Sequence, residues 1–301
     1  MLRGTLLYLS EQPLAKRVFG GRLAKPLVSR FVAGVRLDEA MVNVQRLNAA
    51  GMTATLDYLG ESVHSAAEAG QAATQYIAIL HAVERAQAQC NASLKLTQMG
   101  LDVDRELCVR NVGRVLAQAG QLGNFIRIDM EGSGYTQVTL DIFNELYARY
   151  QNVGVVIQAY LYRSEADIHA LNTLGARVRL CKGAYNEPAS VAFAEKADTD
   201  KNFVKLMQIL LSEGTYPGIA THDEKMIEAT RNYASQRGIP TDRFEFQMLY
   251  GIRRDLQEQI VREGYRLRIY VPYGEQWYPY MMRRMAERPA NLLFVLKGGL
   301  R

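Results

Sequence analysis

The chain has 301 residues, 48% of them hydrophobic, enough for a large core and for one barrel domain of typically about 250 residues. Its three cysteines, Cys90, Cys108 and Cys181, are widely separated and form no CxxC pattern, which excludes a disulfide framework or a structural zinc site and points to a reducing compartment. The net charge of +5 is concentrated in residues 1–36, which hold seven Lys/Arg against the single acid Glu11, and no run approaches the roughly 20 apolar residues of a membrane-spanning helix. In chain order, residues 1–50 read as an N-terminal helical arm packed on a barrel formed by residues 51–301, the whole being a single domain. From about residue 52, short β-rich runs alternate with longer helical patterns. The predicted strands cover 53–59, 93–98, 125–131, 155–161, 177–182, 218–222, 244–249 and 267–272. Eight such units predict an α/β fold, a closed (β/α)8 barrel of the TIM type with helices added at the N-terminus.

The basic arm, with Leu, Val and Phe interleaved, suits two roles. One is peripheral contact with anionic lipid on the inner face of the cell membrane, at about 1 kcal/mol per cation near the surface. The other is a solvated helical pair covering the barrel. A charge so local, without a recognition motif, argues against nucleic acid as a partner, and the expected location is cytoplasmic.

Several strands alternate apolar with bulky polar residues, as in SLKLT at 93–97, RID at 127–129, RVRL at 177–180 and RIYV at 268–271. The outer face of a parallel barrel meets helices, so the apolar set points out and the polar set points in. Arg127 and Arg177 lie one inward step deeper than their neighbours and read as parts of a buried network. Lys95, Asp129, Gln158, Arg179, Lys182, His222, Gln247 and Tyr270 lie at or near the C-terminal strand ends, where barrel active sites gather.

The helix after the last strand begins near Trp277 and carries Tyr280, Arg283, Arg284 and Glu287 at i, i+3, i+4 and i+7, on one face. Two adjacent guanidiniums suit a planar carboxylate, so a small carboxylic acid is the implied substrate. Tyr185, Tyr270 and Tyr280 supply flat walls for its apolar part. His64, His81 and His169 read as surface or packing residues, and only His222 falls where a ligand belongs. No metal spacing, GxGxxG or GxxxxGK[ST] is present, so neither a metal nor a Rossmann-held dinucleotide is expected. Phosphates could instead meet Arg179, Lys182 and the backbone of 182–184.

RLCKGAY at 179–185 closely resembles the RLVKGAY motif of proline dehydrogenases. SLKLT at 93–97, IDME at 128–131, ATH at 220–222, FQMLYG at 246–251, YVPYG at 270–274 and YMMRRMAE at 280–287 resemble further motifs of that family, in the same order over nearly the whole chain. The resemblance implies a distorted barrel that binds FAD at the C-terminal strand ends, oxidises L-proline to Δ1-pyrroline-5-carboxylate and passes electrons to a membrane quinone. By motif position, Arg283 and Arg284 are the carboxylate clamp, oriented by Glu287. Lys95 stands beside the substrate, and Tyr185, Leu249, Tyr270 and Tyr280 shape its pocket. Met130, Gln158, Arg179, Lys182, Gly183, Ala184, Thr221, His222 and Gln247 resemble the family's flavin contacts, and Asp129 and Arg179 match positions of catalytic importance. Asp129 is expected to pair with Lys95.

Cys181 stands where the motif has valine and is expected to point away from the site as a volume change. The interval from Tyr270 to Tyr280 is shorter than in the large bifunctional members and resembles the monofunctional bacterial enzymes. Two other readings compete: a barrel enzyme using Lys95 or Lys182 as an aldolase-type Schiff base, and a non-enzymatic membrane-surface module built on residues 1–36.

Overall fold

The computed structural model describes residues 29–278 together with 280 and 281, so the basic arm up to residue 28 and Arg283, Arg284 and Glu287 lie outside the described residues. Eight parallel strands close into one barrel in chain order: β1 Thr53–Tyr58, β2 Cys90–Leu94, β3 Ile126–Ile128, β4 Val153–Gln158, β5 Arg177–Cys181, β6 Gly218–Ala220, β7 Glu245–Leu249 and β8 Leu267–Tyr273. The expected eight strands are all present and β8 pairs with β1. The helices are α1 Leu37–Ala49, α2 Ala66–Arg85, α3 Arg105–Gln121, α4 Thr136–Tyr147, α5 Ser164–Thr173, α6 Lys196–Glu213, α7 Glu224–Gln236 and α8 Arg254–Arg262.

Period-two patterning decides the layers. Leu56, Leu94, Ile126, Ile128, Val155, Leu180, Ile219, Phe246 and Ile269 are completely buried between sheet and helices. Burying each such side chain stabilises the fold by about 1.5–3 kcal/mol. Helix starts are set by side-chain caps: Ser65 accepts from the Glu68 N–H at 3.2 Å, Asp104 from the Leu107 N–H at 2.6 Å, and Asp223 from the Lys225 N–H at 3.1 Å.

Four strands differ from expectation by two residues or more at an end, the other four by one. β2 runs from Cys90 to Leu94 rather than over 93–98, because the chain turns at once: the Met99 N–H donates to the Lys95 and Leu96 carbonyls and Gly100 to Thr97. β3 ends at Ile128, β4 starts at Val153 and ends at Gln158, and β6 ends at Ala220. Just beyond these ends the Asp129, Ala159 and Thr221 N–H groups still donate to the Leu94, Cys181 and Gln247 carbonyls of the neighbouring strands.

Helix α1 packs against β1 and β8, filling the place that the eighth helix takes in a regular barrel. The turn before it is stitched to the end of β8, with the Ala33 N–H donating to the Pro272 carbonyl at 2.9 Å and the Gly274 N–H to Gly34 at 3.0 Å. The chain after β8 is helical from Trp277, as expected, and packs Tyr280 and Trp277 on Val32 and Leu59. No helix among the described residues is long and apolar enough to cross a membrane.

Candidate active site

At the C-terminal mouth of the barrel lies a cavity of about 490 Å³, within the roughly 300–1,000 Å³ usual for small-molecule sites. Asp129, Arg179, Lys95, Tyr185, Leu249, Tyr270, Tyr280, Met130, Gln158, Lys182, Gly183, Ala184, Thr221, His222 and Gln247 all line it. Every candidate site residue within the described range is therefore in one place, delivered by strands β2 to β8 and the segments that follow them.

Register explains the gathering. In β5, Arg179 stands beside Val156 of β4 and Gly218 of β6, and Ala220 of β6 stands beside Gln247 of β7. A Cβ on Gly218 would come within 2.4 Å of the Gln247 amide nitrogen, so glycine there leaves room for large polar side chains from both sides. Arg179 uses that space: its Nε donates to Gln247 Oε1 at 2.5 Å and its Nη1 to Asp129 Oδ1 at 2.7 Å. Below, Gln247 Nε2 donates to Glu245 Oε1 at 2.6 Å, and Arg268 Nε donates to the same oxygen at 2.7 Å. A continuous hydrogen-bonded chain thus runs from the barrel floor to the mouth.

Asp129 is the centre of the second half of the network. Ser93 Oγ donates to its Oδ1 at 2.5 Å and Tyr270 Oη to its Oδ2 at 2.7 Å, while Lys95 Nζ stands off at 3.8 Å. The expected Asp129–Lys95 ion pair is present, but it is the longer of two: Asp129 also pairs with Arg179 at 2.7 Å, and Lys95 lies nearer Asp57, Nζ to Oδ1 3.3 Å. Burial pushes the Asp129 carboxyl up, but Arg179, Lys95, Ser93 and Tyr270 together outweigh it and hold the group below its ordinary value. Burial also opposes the Lys95 ammonium, yet Asp57 and Asp129 dominate and keep it charged well beyond the ordinary lysine range. Tyr270 is held far above its ordinary value by burial and by the two carboxylates, so its hydroxyl stays a proton donor to Asp129.

His222 is oriented by the backbone: the Leu249 N–H donates to its Nε2 at 2.8 Å. Lys182 Nζ bridges Asp200 and Asp223, the latter at 2.7 Å, and Lys196 joins the same cluster. Gly183 has φ +112°, and a Cβ there would enter the Tyr160 ring at 2.4 Å, so the loop over the cavity needs glycine on both counts.

Three sequence readings are corrected here. Cys181 lines the cavity rather than pointing away, because it continues the inward set of Arg179 along β5. Arg177 is exposed at the opposite end of the barrel, its guanidinium 5.2 Å from the Phe125 ring centre and 5.4 Å from that of Tyr216, whereas Arg127 is buried as expected. Asp57 was missed, although Thr53, Thr55 and Asp57 alternate with Ala54 and Leu56 in β1 and carry the same inward signal. Glu61 and Asp223 also line the cavity and had no place in the sequence reading. No cluster of metal-ligating side chains occurs among the described residues.

A sequence model of the family described as proline dehydrogenase matches residues 40–297. The chain belongs to the proline dehydrogenase family. It is 44% identical to proline dehydrogenase 1 of Bacillus subtilis (strain 168) over 304 residues, covering all of both chains. It is 40% identical to the proline dehydrogenase of Deinococcus radiodurans over 306 residues, covering 100% of this chain and 98% of that one. Among solved structures, proline utilization A (PutA) from Bdellovibrio bacteriovorus inactivated by N-propargylglycine superposes with a TM-score of 0.83 at 27% identity, over 88% of this chain and 33% of that one. The match to the shorter enzymes is end to end, while the bifunctional protein PutA of Escherichia coli is matched over 25% of its length. As a proline dehydrogenase the protein is an oxidoreductase of monofunctional type. That membership sets aside the Schiff-base and membrane-module readings.

Proposed function

We propose that the protein oxidises L-proline to Δ1-pyrroline-5-carboxylate in the cavity at the barrel mouth, the first step of proline breakdown, with FAD as its cofactor and a membrane quinone as the final acceptor. FAD, when bound, would supply the two-electron acceptor for the hydride of proline C5. The observation that carries the reading is the meeting of one buried cationic pair with two kinds of lining. Arg179 and Lys95 stand among carboxylates and tyrosines, and beside them lies a wall of amide and backbone groups suited to a flavin.

The residues fit the cofactor. Gln158 is 3% exposed and its Oε1 has no hydrogen-bond partner among the described residues, which suits an N–H at the polar edge of a flavin ring. The Thr221–His222 and Gln247 groups lie on the same wall. Lys182 and the backbone of Gly183 and Ala184 would hold the phosphates, and Met130 would pack on the ring. Arg179 places a fixed positive charge where the acceptor becomes electron-rich, and it needs no reorganisation because Gln247 and Asp129 hold it. Lys95 and the clamp of Arg283 and Arg284, with Glu287 behind them, would bind the proline carboxylate. Tyr185, Leu249, Tyr270 and Tyr280 would enclose the ring and exclude water. The basic residues 1–36 would bring this cytoplasmic enzyme to the inner face of the membrane where the quinone lies.

The test is spectroscopic. Purified protein should show an oxidised-flavin absorption band that bleaches on anaerobic addition of L-proline. A colourless protein rejects the cofactor, and a persistent yellow band rejects the substrate.

A further inference from the structure

Proline at neutral pH carries two protons on its ring nitrogen, and a hydride can leave C5 only when that nitrogen has a lone pair to share. Some group must therefore take a proton, and the cavity offers few. Lys95 is an ammonium held charged between two carboxylates. Asp129 has both oxygens occupied, Oδ1 by Arg179 and Ser93 and Oδ2 by Tyr270, and is held below the ordinary carboxylate value by them. His222 already accepts at Nε2 from the Leu249 N–H. Glu61 stands at the rim, half-buried and beyond the end of β1.

Asp57 differs from all of these. It ends the inward set of β1, beside Ser93 of β2 and Pro272 of β8, is 1% exposed, and lines the cavity. Its Oδ1 faces Lys95 at 3.3 Å, while its Oδ2 is buried with no hydrogen-bond partner among the described residues. A buried acceptor left bare costs about 1–3 kcal/mol, more when charged, so a carboxylate oxygen kept so beside a substrate chamber is placed for a donor that arrives with the substrate.

We propose that Asp57 receives the ring-nitrogen proton of the bound substrate through Oδ2, and is the catalytic base of the reaction. This rests on the reading of proline as substrate. The N–H bond breaks and an O–H bond forms, giving the free secondary amine and a neutral carboxyl. The nitrogen lone pair then forms the C5=N bond as the C5–H bond leaves with both electrons to FAD, so proline is oxidised by two electrons and the flavin reduced by two. The protonated imine loses its remaining N–H proton to water, and Asp57 returns its own after turnover.

The surroundings suit a base. Lys95, Asp129 and Tyr270 face Asp57 inside the barrel, with Tyr76 from α2 and Tyr273 of β8 behind it. Burial raises the carboxyl, the Lys95 charge opposes this, Asp129 adds to it, and hydrogen bonding from Tyr270 and Lys95 opposes it; the net direction is upward.

The experiment uses the flavin-loaded full chain and its Asp57→Asn variant, mixed anaerobically with saturating L-proline from mildly acid to alkaline pH. The variant should keep its flavin spectrum and bleach about a hundredfold more slowly at neutral pH. The deficit should close as the pH approaches that at which bound amine ionises unaided. Cyclopentanecarboxylate, which has no nitrogen, should bind both proteins equally, read by thermal shift. A deficit independent of pH, no deficit, or an equal loss of cyclopentanecarboxylate affinity overturns the proposal, the last by placing Asp57 behind Lys95 as a positioning residue. If the variant does not fold, the unsubstituted protein decides: its limiting bleaching rate should fall with acid through a carboxyl titrating above the ordinary ~4, and a flat profile down to that value overturns the proposal. Absence of bleaching in the unsubstituted protein overturns the proline reading and this proposal together, whereas bleaching with identical pH profiles in both proteins overturns this proposal alone.

Discussion

Arg179 at the end of β5 and Asp129 beyond β3 meet across the barrel mouth, Nη1 to Oδ1 2.7 Å, with Gln247 holding the other side of the guanidinium and Ser93 and Tyr270 holding the carboxylate. Two buried charges so enclosed are stable only together. Removing one leaves the other desolvated and unpaired, which costs far more than the pair contributes.

Asp129→Ala should therefore lower folding stability by about 3–5 kcal/mol and abolish most turnover, because Arg179 loses its orientation and Lys95 loses a second counter-charge. Thermal unfolding and the rate of flavin bleaching measure the two effects. Full turnover in this variant would sink the assignment of Asp129.

For the proposed clamp, Arg283→Met or Arg284→Met should raise the KM for proline by the equivalent of about 2–5 kcal/mol, a charge pair broken on one side. Flavin content should not change. Flavin loss with an unchanged KM would show that these arginines serve the cofactor instead.

Gly183→Ala tests the loop over the cavity. A Cβ at φ +112° would be strained and would enter the Tyr160 ring, so the loop must move, at about 1–3 kcal/mol. The flavin-to-protein ratio after purification should fall while the far-ultraviolet circular dichroism stays that of the parent. An unchanged ratio would remove the 182–184 backbone from the cofactor site.

Acid should unfold the protein through its buried pairs. Asp129 and Glu245 titrate below their ordinary values: burial acts to raise both, but Arg179 with Lys95, and Arg268, outweigh it. A depressed folded-state pKa contributes stability that is full above the unfolded value, about 4, and is lost as the pH falls through the lower folded value. The melting temperature should hold near neutrality and drop below about pH 4. Glu245→Gln should melt lower at neutral pH but show a shallower acid slope, and equal slopes would remove Glu245 as a source of the acid sensitivity.

Much of this protein is legible in its sequence because the signals are local. Strand alternation such as RVRL at 177–180 fixes which side chains face the helices, and eight βα units in series point to a barrel, which the structure closes. The inward parity of Arg179, Gln247 and Tyr270 in β5, β7 and β8 then turns them into one cavity, and RLCKGAY carries the family resemblance. What only the tertiary structure decided is partnership. Asp129 sits closer to Arg179 than to Lys95 because β3 and β5 flank β4 at a register that sets Ile128 beside Val155 and Arg179 beside Val156. Asp57 becomes a site residue because closure sets β1 between Ser93 of β2 and β8. Alternation along one strand is set by the backbone's own period of two, whereas contacts between residues 50 or more positions apart, as from Asp129 to Arg179, depend on strand register and barrel closure, which no local stretch of sequence contains.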